Sequence, residues 1–324
     1  MPPAISSSSP DPGQAATAVS RSSGVRYDRS PEEWRRCLED EQRAAEARTW
    51  TRTDTLDAWR HDRMRSRIDP FLRHQPAGRW LTVGDGRFGN DAHFLQRRGI
   101  TVHASDVDDT LLRIGAQQGL IGSFSAENAE ALRFPDASFD YVFCKEAFHH
   151  FPRPWIALYE MLRVARHGVI LIEPGDTWIE RAGRSPAGHL VEALKDGARA
   201  VLRRAPRPRH RFEQIGNYVF SLSPWECEKV QLGLHQRHLA WCGLNDCYIK
   251  GVEFCPITGG SDADERLRQR LFRNLRRQDL LSRITGCWGL QVMVLFRQEP
   301  ASELLQDLRQ SGWTTRELPR NPYL

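Results

Sequence analysis

A chain of 324 residues with 40% apolar content and a mean hydropathy of −0.56 holds enough material for an ample core, as one α/β domain with insertions or as two average domains. Its longest apolar stretches, such as 168–172 and 292–296, are strand length, far below the ~20 residues that span a bilayer. The formal charge is +5, but only four of the 46 basic residues are lysine, a skew that reflects a GC-rich genome more than a nucleic-acid surface. Residues 1–30, rich in Ser, Pro and Ala without an apolar run, are expected to form a disordered tail and no secretion signal. Seven cysteines without a Cys-x-x-Cys pair are then expected to be free thiols in a reducing, cytoplasmic compartment.

In chain order, residues 31–75 read as an N-terminal helical cap. Ser30-Pro31-Glu32-Glu33 supplies an N-cap, a proline at the first helical position and acids in the first turn. A second helix is expected from Thr55 to Leu72, with Leu56, Trp59, Met64 and Ile68 as its apolar contributors. Residues 76–175 read as a βα repeat and a cofactor-binding core. Residues 176–324 read as a helical insertion or lid, followed by strands that complete the sheet. An amphipathic helix is expected from Ala187 to Leu202, a Pro/Arg linker from Ala205 to Arg211, and a helix opening at Ser223-Pro224-Trp225-Glu226. Strands are expected near Asp246–Phe254 and Leu290–Phe296. The fold class is therefore α/β, a doubly wound and mostly parallel sheet.

The most informative segment is Gly84-Asp85-Gly86-Arg87-Phe88-Gly89, between the apolar run Trp80-Leu81-Thr82-Val83 and the helix start at Asn90. Strand, glycine turn and helix together make a nucleotide-cofactor loop, because the backbone must turn sharply and approach a ligand without Cβ atoms in the way. A second strand, Thr101–Ser105, delivers Asp106 twenty residues beyond Gly86, the spacing at which an acid accepts hydrogen bonds from both hydroxyls of a ribose.

Gly-x-Gly-x-x-Gly also serves dinucleotide dehydrogenases, so the discrimination rests on the segments beyond Asp106. After a third short strand near Ile121–Ser125 come Glu127-Asn128-Ala129-Glu130, Leu132-Arg133-Phe134 and Ser138-Phe139-Asp140, a fourth strand Tyr141–Cys144, and Lys145-Glu146-Ala147-Phe148-His149-His150. Met161 to Pro174 then reads as helix, glycine and fifth strand. From about Arg79 to Pro174 the chain resembles the class I S-adenosylmethionine-dependent methyltransferases, specifically the large type 11-like group acting on small molecules. That resemblance implies a seven-stranded Rossmann-like sheet, S-adenosylmethionine as cofactor, and Gly84, Asp85, Gly86, Gly89, Asp106, Val107, Asn128, Ala129 and Lys145 as cofactor-binding residues. The group usually carries Asp at the Asn128 position and an acid at the Thr82 position. Asp85 is the nearest replacement for the latter, against the cofactor's methionine portion or in a local Asx turn.

Three constellations compete for chemistry. Lys145, Glu146, His149 and His150 follow strand four, at the crevice edge where a methyl acceptor approaches, and His149 or His150 is the expected general base. Glu173, at the end of strand five, is a second candidate base or a structural hydrogen-bonding group. His235, His238 and Cys242, with Cys247 and Cys255, have spacings conceivable for zinc on one helix face, but isolated cysteines are ordinarily core residues, and no metal is expected.

The arginines at 199, 203, 204, 207, 209 and 211 and at 266, 268, 270, 273, 276 and 277 lack interleaved aromatics. The second cluster is read as the solvated face of a helix buried through Leu267, Leu271, Phe272 and Leu275. The reading is thus an enzyme that methylates an oxygen, nitrogen or carbon of a small molecule, with no nucleic-acid partner and an oligomeric state left open. The alternatives are an NAD-dependent oxidoreductase on a Rossmann fold and an RNA methyltransferase.

Overall fold

The run Arg79–Val83 forms strand β1, buried on both sides after its first residue as expected of a central parallel strand. The structure is a computed structural model that describes residues 41–75, 77–176 and 218–323, with isolated positions 190, 193, 194, 211 and 212. The expected tail, the helix start at Ser30–Glu33, the helix over 187–202 and the Pro/Arg linker lie outside the described residues, apart from those positions. Helix α1 (Glu41–Thr49) and α2 (Leu56–Arg65) precede a 3-10 turn (Ser66–Ile68) and α3 (Asp69–His74). The single helix expected over 55–72 is thus broken after Arg65, and Asp69-Pro70 opens α3 with proline at its N-terminus.

Around β1, the chain builds α4 (Asn90–Gln96), β2 (Thr101–Asp106), α5 (Thr110–Gln117), β3 (Phe124–Ala126), β4 (Phe139–Lys145), α6 (Pro154–Val164) and β5 (Ala165–Pro174). These five strands are parallel, and order reverses between β1 and β4, so a crevice opens at their carboxyl ends. After α7 (Pro224–Gly233) come β6 (His238–Leu244), α8 (Asp262–Thr285), β7 (Leu290–Phe296), α9 (Ser302–Gln310) and β8 (Thr314–Glu317). The described sheet has eight strands, in the order β3-β2-β1-β4-β5-β7-β6-β8. The seven-strand expectation falls one short because β8, a polar Thr-Thr-Arg-Glu edge strand, has no apolar pattern to announce it.

Ser223 caps α7 through a full capping box with Glu226, as its sequence suggests, and Ser261 does the same for α8 with Asp264. The strand expected at 246–254 is a loop, and the strand is β6, just before it. Val252 and Cys255 pack instead with Leu56, Leu271 and Leu275 in a small core that joins α2 to α8. Backbone bonds reinforce that junction: Leu56 N donates to Cys255 O at 2.8 Å and Asp57 N to Val252 O at 3.1 Å. On α8 the expected arginine face is exposed except for Arg268, which is buried on Glu265 and the Pro256 and Gly259 carbonyls. Two larger cores cover the faces of the sheet, one around Trp80, Phe71 and Phe296, the other around Phe139, Phe148 and Met161. Among the described residues no helix is long and apolar enough to cross a membrane.

Candidate active site

The glycine loop sits at the carboxyl end of β1. Gly84 has φ +75°, and a Cβ there would lie 2.3 Å from the Ala147 Cβ, so the loop and the turn after β4 are in direct contact. Asp85 N and Gly84 N donate to Ser105 O, which ties the loop to β2. A Cβ on Gly86 would lie 2.9 Å from Asp106 Oδ2, so the carboxylate at the end of β2 faces the middle of the loop. Asp106 Oδ1 accepts from Asp108 N at 3.2 Å. Burial pushes the Asp106 carboxyl up to about 6, against backbone hydrogen bonds that pull it down.

Val107, 47% exposed, stands beside Asp106 at the crevice rim. Asn128 lies two residues past β3, with Oδ1 accepting from Glu130 N at 2.9 Å in an Asx turn, and Ala129 is buried behind it. Gly89, at φ +73°, precedes α4 against Ile121.

Asp85 is 3% exposed, and both its oxygens are engaged. Oδ1 accepts from Asp91 N, and Oδ2 accepts from Ala92 N and from the Thr82 hydroxyl at 2.9 Å. Its carboxylate therefore holds the first turn of α4 to β1. Burial, and next the Asp91 carboxylate, push Asp85 up to about 8.

Across roughly pH 4–8 the folded chain keeps a proton on Asp85 that the unfolded chain has released, so this group costs stability as pH rises through that window. Asp85→Asn removes that cost but loses one acceptor, for about 1–3 kcal/mol. The expected result is a melting-temperature difference, variant minus wild type, that grows from pH 5 to pH 8. A flat difference in thermal scans would refute the assignment.

Glu173 and the two histidines come together on the other side of the turn. Glu173 is fully buried; Oε1 accepts from Ala147 N at 3.0 Å and Phe148 N at 2.9 Å, and Oε2 pairs with His149 Nδ1 at 2.6 Å. The His150 ring lies 4.0 Å from that of His149. Lys145 is buried, with Nζ 3.0 Å from Glu146 Oε2 and 4.0 Å from Asp91 Oδ1.

The sequence reading missed a second layer of this site. Asp57, Arg60, His61 and Arg65 form a polar stripe at helical spacing on α2, all four buried. His61 Nε2 lies 2.8 Å from Arg87 Nη1 and its Nδ1 3.4 Å from Glu146 Oε2. Arg60 binds Asp57 and Asp246, and Arg65 binds Asp91 at 2.6 Å. Burial first, and then Lys145 and the surrounding arginines, push the His61 imidazole well below its ordinary value, so it is neutral. The signal was present in the i, i+3, i+4 recurrence of Asp57, Arg60, His61 and Arg65, beside the apolar positions of the same helix.

His235, His238 and Cys242 do not share a helix face. His238 and Cys242 lie on β6, and His235 lies in the turn before it, with φ +57°. No group of metal-ligating side chains occurs among the described residues.

Residues 81–172 match the family model of a methyltransferase domain, type 11. An uncharacterized methyltransferase from Mycobacterium marinum is 34% identical over 153 residues, 46% of this chain and 59% of the relative. The 27-O-demethylrifamycin SV methyltransferase of Amycolatopsis mediterranei is 27% identical over 186 residues, 57% of this chain and 53% of that protein. The chain thus spans between half and three-fifths of the length of these relatives. A solved S-adenosylmethionine-dependent methyltransferase from Mesorhizobium loti is 17% identical, with a TM-score of 0.42, over 71% of this chain and 98% of its own. Residues 81–172, which run through strands β1 to β5 of the parallel part of the sheet, are thus similar to a methyltransferase domain.

Proposed function

We propose that this protein transfers the methyl group of S-adenosylmethionine to an oxygen, nitrogen or carbon of a small molecule. The observation that carries the reading is the Asp106 carboxylate facing Gly86 at the switch point of the sheet, where only a glycine leaves room for a ribose edge. The residues fit the cofactor: Asp106 for the ribose diol, Val107 beside the base, the Asn128–Ala129 turn for the adenine edge, and Gly84, Gly86 and Gly89 for close backbone approach. The bound cofactor supplies a methyl group on a sulfonium sulfur, already activated for in-line displacement, so the protein's task is chiefly positioning.

In this reading, Glu173 holds the turn after β4 rigid through two backbone amides and orients His149. A carboxylate on Nδ1 favours the tautomer that leaves the lone pair on Nε2, the form a general base requires. His150, whose ring lies tilted against that of His149, is the alternative base. The relative named for 27-O-demethylrifamycin SV supports a small-molecule acceptor that offers oxygen. The arginines of α8 serve as a solvated face, and nucleic acid is not assigned as a partner. A reducing, cytoplasmic setting accords with the six described cysteines, all free thiols.

A nicotinamide dinucleotide would require a second parallel mononucleotide half, but β7 runs antiparallel to both β5 and β6. Titration calorimetry should therefore show binding of S-adenosylmethionine and none of NAD. Binding of NAD in its place would overturn the proposal.

A further inference from the structure

A cofactor with an amino-acid arm must have its ammonium and carboxylate met by opposite charges. In the family resembled, an acid at the Thr82 position serves this end of the loop. Here Thr82 donates its hydroxyl to Asp85, and both Asp85 oxygens are spent on α4 and Thr82. Neither residue offers an ionised, unoccupied carboxylate.

The turn after β4 does. Ala147 abuts Gly84, so its neighbour Glu146 flanks the glycine loop directly. Glu146 has φ +51°, a left-handed conformation that costs a non-glycine residue about 1 kcal/mol or more and persists where a site requires it. Its N–H donates to Ile172 O at 2.8 Å, which pins the turn. Among the described residues its close contacts, to Lys145 Nζ and His61 Nδ1, both use Oε2. Oε1 thus remains for a ligand. Burial alone would raise this carboxyl, but Lys145 and Arg87 outweigh it and hold the group at about 2, ionised at any working pH.

The complementary charge comes from the loop itself. Arg87 places its guanidinium 4.6 Å from the Trp50 ring centroid and its Nη1 against His61 Nε2. Arg87, with His61, Asp57 and Trp50, also lines a cavity of about 130 Å³, and its Nη1 lies 3.9 Å from Asp57 Oδ2. His61 is a buried, neutral spacer whose Nδ1 makes no hydrogen bond among the described residues and lies 3.4 Å from Glu146, between the two charges. A zwitterion lying beside the loop would meet a carboxylate and a guanidinium at once.

We propose that Glu146 and Arg87, spaced by His61 of α2, form the subsite for the α-amino-acid arm of the cofactor, Glu146 taking the ammonium and Arg87 the carboxylate. The N-terminal cap then has a binding role, because α2 carries the spacer and, through Asp57 and Arg60, the charges around it. This inference rests on the cofactor reading above.

The test compares S-adenosylhomocysteine with 5′-methylthioadenosine, which lacks the amino-acid arm, by titration calorimetry. Glu146→Gln and Glu146→Gly are both measured; glycine adopts φ +51° without strain, which offsets part of the stability lost with the Lys145 ion pair, so the second variant should fold with a lowered melting temperature. Loss of one charge-assisted contact should weaken S-adenosylhomocysteine about ten- to hundredfold in both variants and 5′-methylthioadenosine by no more than about twofold. Arg87→Met should show the same selectivity. Unchanged affinity for S-adenosylhomocysteine in both Glu146 variants, or equal losses for both ligands, would overturn the subsite. Wild-type protein that binds neither ligand would instead overturn the cofactor reading beneath it.

Discussion

Asp106→Ala is expected to weaken S-adenosylmethionine binding by about 30- to 1,000-fold, the equivalent of ~2–4 kcal/mol for a charged acceptor that loses both hydroxyls of a diol. The effect is large because Asp106 sits at the end of a buried strand, faces Gly86, and is the carboxylate at that position. It also has a pH signature. Burial pushes the group up to about 6 in the ligand-free crevice, and the diol prefers the ionised form, so wild-type affinity should improve as pH rises from 5 to 7. The stability sign is opposite. Between about pH 4 and 6 the folded chain keeps a proton that the unfolded chain has lost, so this group costs stability as pH rises through that window. Asp106→Asn should therefore bind poorly yet lack this loss of stability with pH. Calorimetry that puts Asp106→Ala within about threefold of wild type would remove the ribose contact from this residue.

The legible part of this site is the part built from backbone. Glycines at 84 and 89 adopt positive φ where the chain turns, and the apolar runs around them are buried parallel strands, so spacing alone located Asp106. Capping is equally local: Ser223 and Glu226 meet three residues apart, and the structure holds them as their spacing implies. Strand β7 spans the expected Leu290–Phe296, because a seven-residue apolar run between two turns has few other uses.

The illegible part depends on partners distant in sequence. The α2 stripe of Asp57, Arg60, His61 and Arg65 is polar, so an apolar periodicity reading passes over it. Its burial follows from Asp246, Arg87, Glu146 and Asp91, which lie up to 186 residues away. Strand β6 is easily misplaced into the following loop because Trp241-Cys242-Gly243-Leu244 and Cys247-Tyr248-Ile249 have similar composition. Pairing with β7 selects the first, while the second turns back to pack on α8. The zinc-like spacing fails for the same reason: i, i+3 and i+7 share a face only in a helix, and His238 to Leu244 is extended. Asp85 shows the finer limit. Its place inside the loop is clear from sequence, but the direction of its carboxylate is decided by two amides at the start of α4.

His149→Asn is expected to lower turnover by about 10²–10⁴, with cofactor affinity close to that of wild type. The geometry that supports this is the 2.6 Å pairing of His149 Nδ1 with a fully buried carboxylate, the orienting arrangement a general base uses. Glu173 has a double task, however, because the same carboxylate accepts from Ala147 and Phe148. Glu173→Ala strands two buried amides and an imidazole, and should cost about 3–5 kcal/mol in urea unfolding, which would obscure any effect on chemistry. Glu173→Gln keeps one acceptor and is the informative variant. It should fold, with reduced turnover, since a neutral amide holds the imidazole less well. The measurement requires an acceptor, found by offering metabolite extracts with a methyl-labelled cofactor. Turnover is then followed between pH 6 and 9, where a histidine base gives an acid limb that disappears in His149→Asn. If His149→Asn and His150→Asn both keep nearly full turnover and that limb, neither is the base, and Glu173 serves only to hold the turn after β4 against the glycine loop.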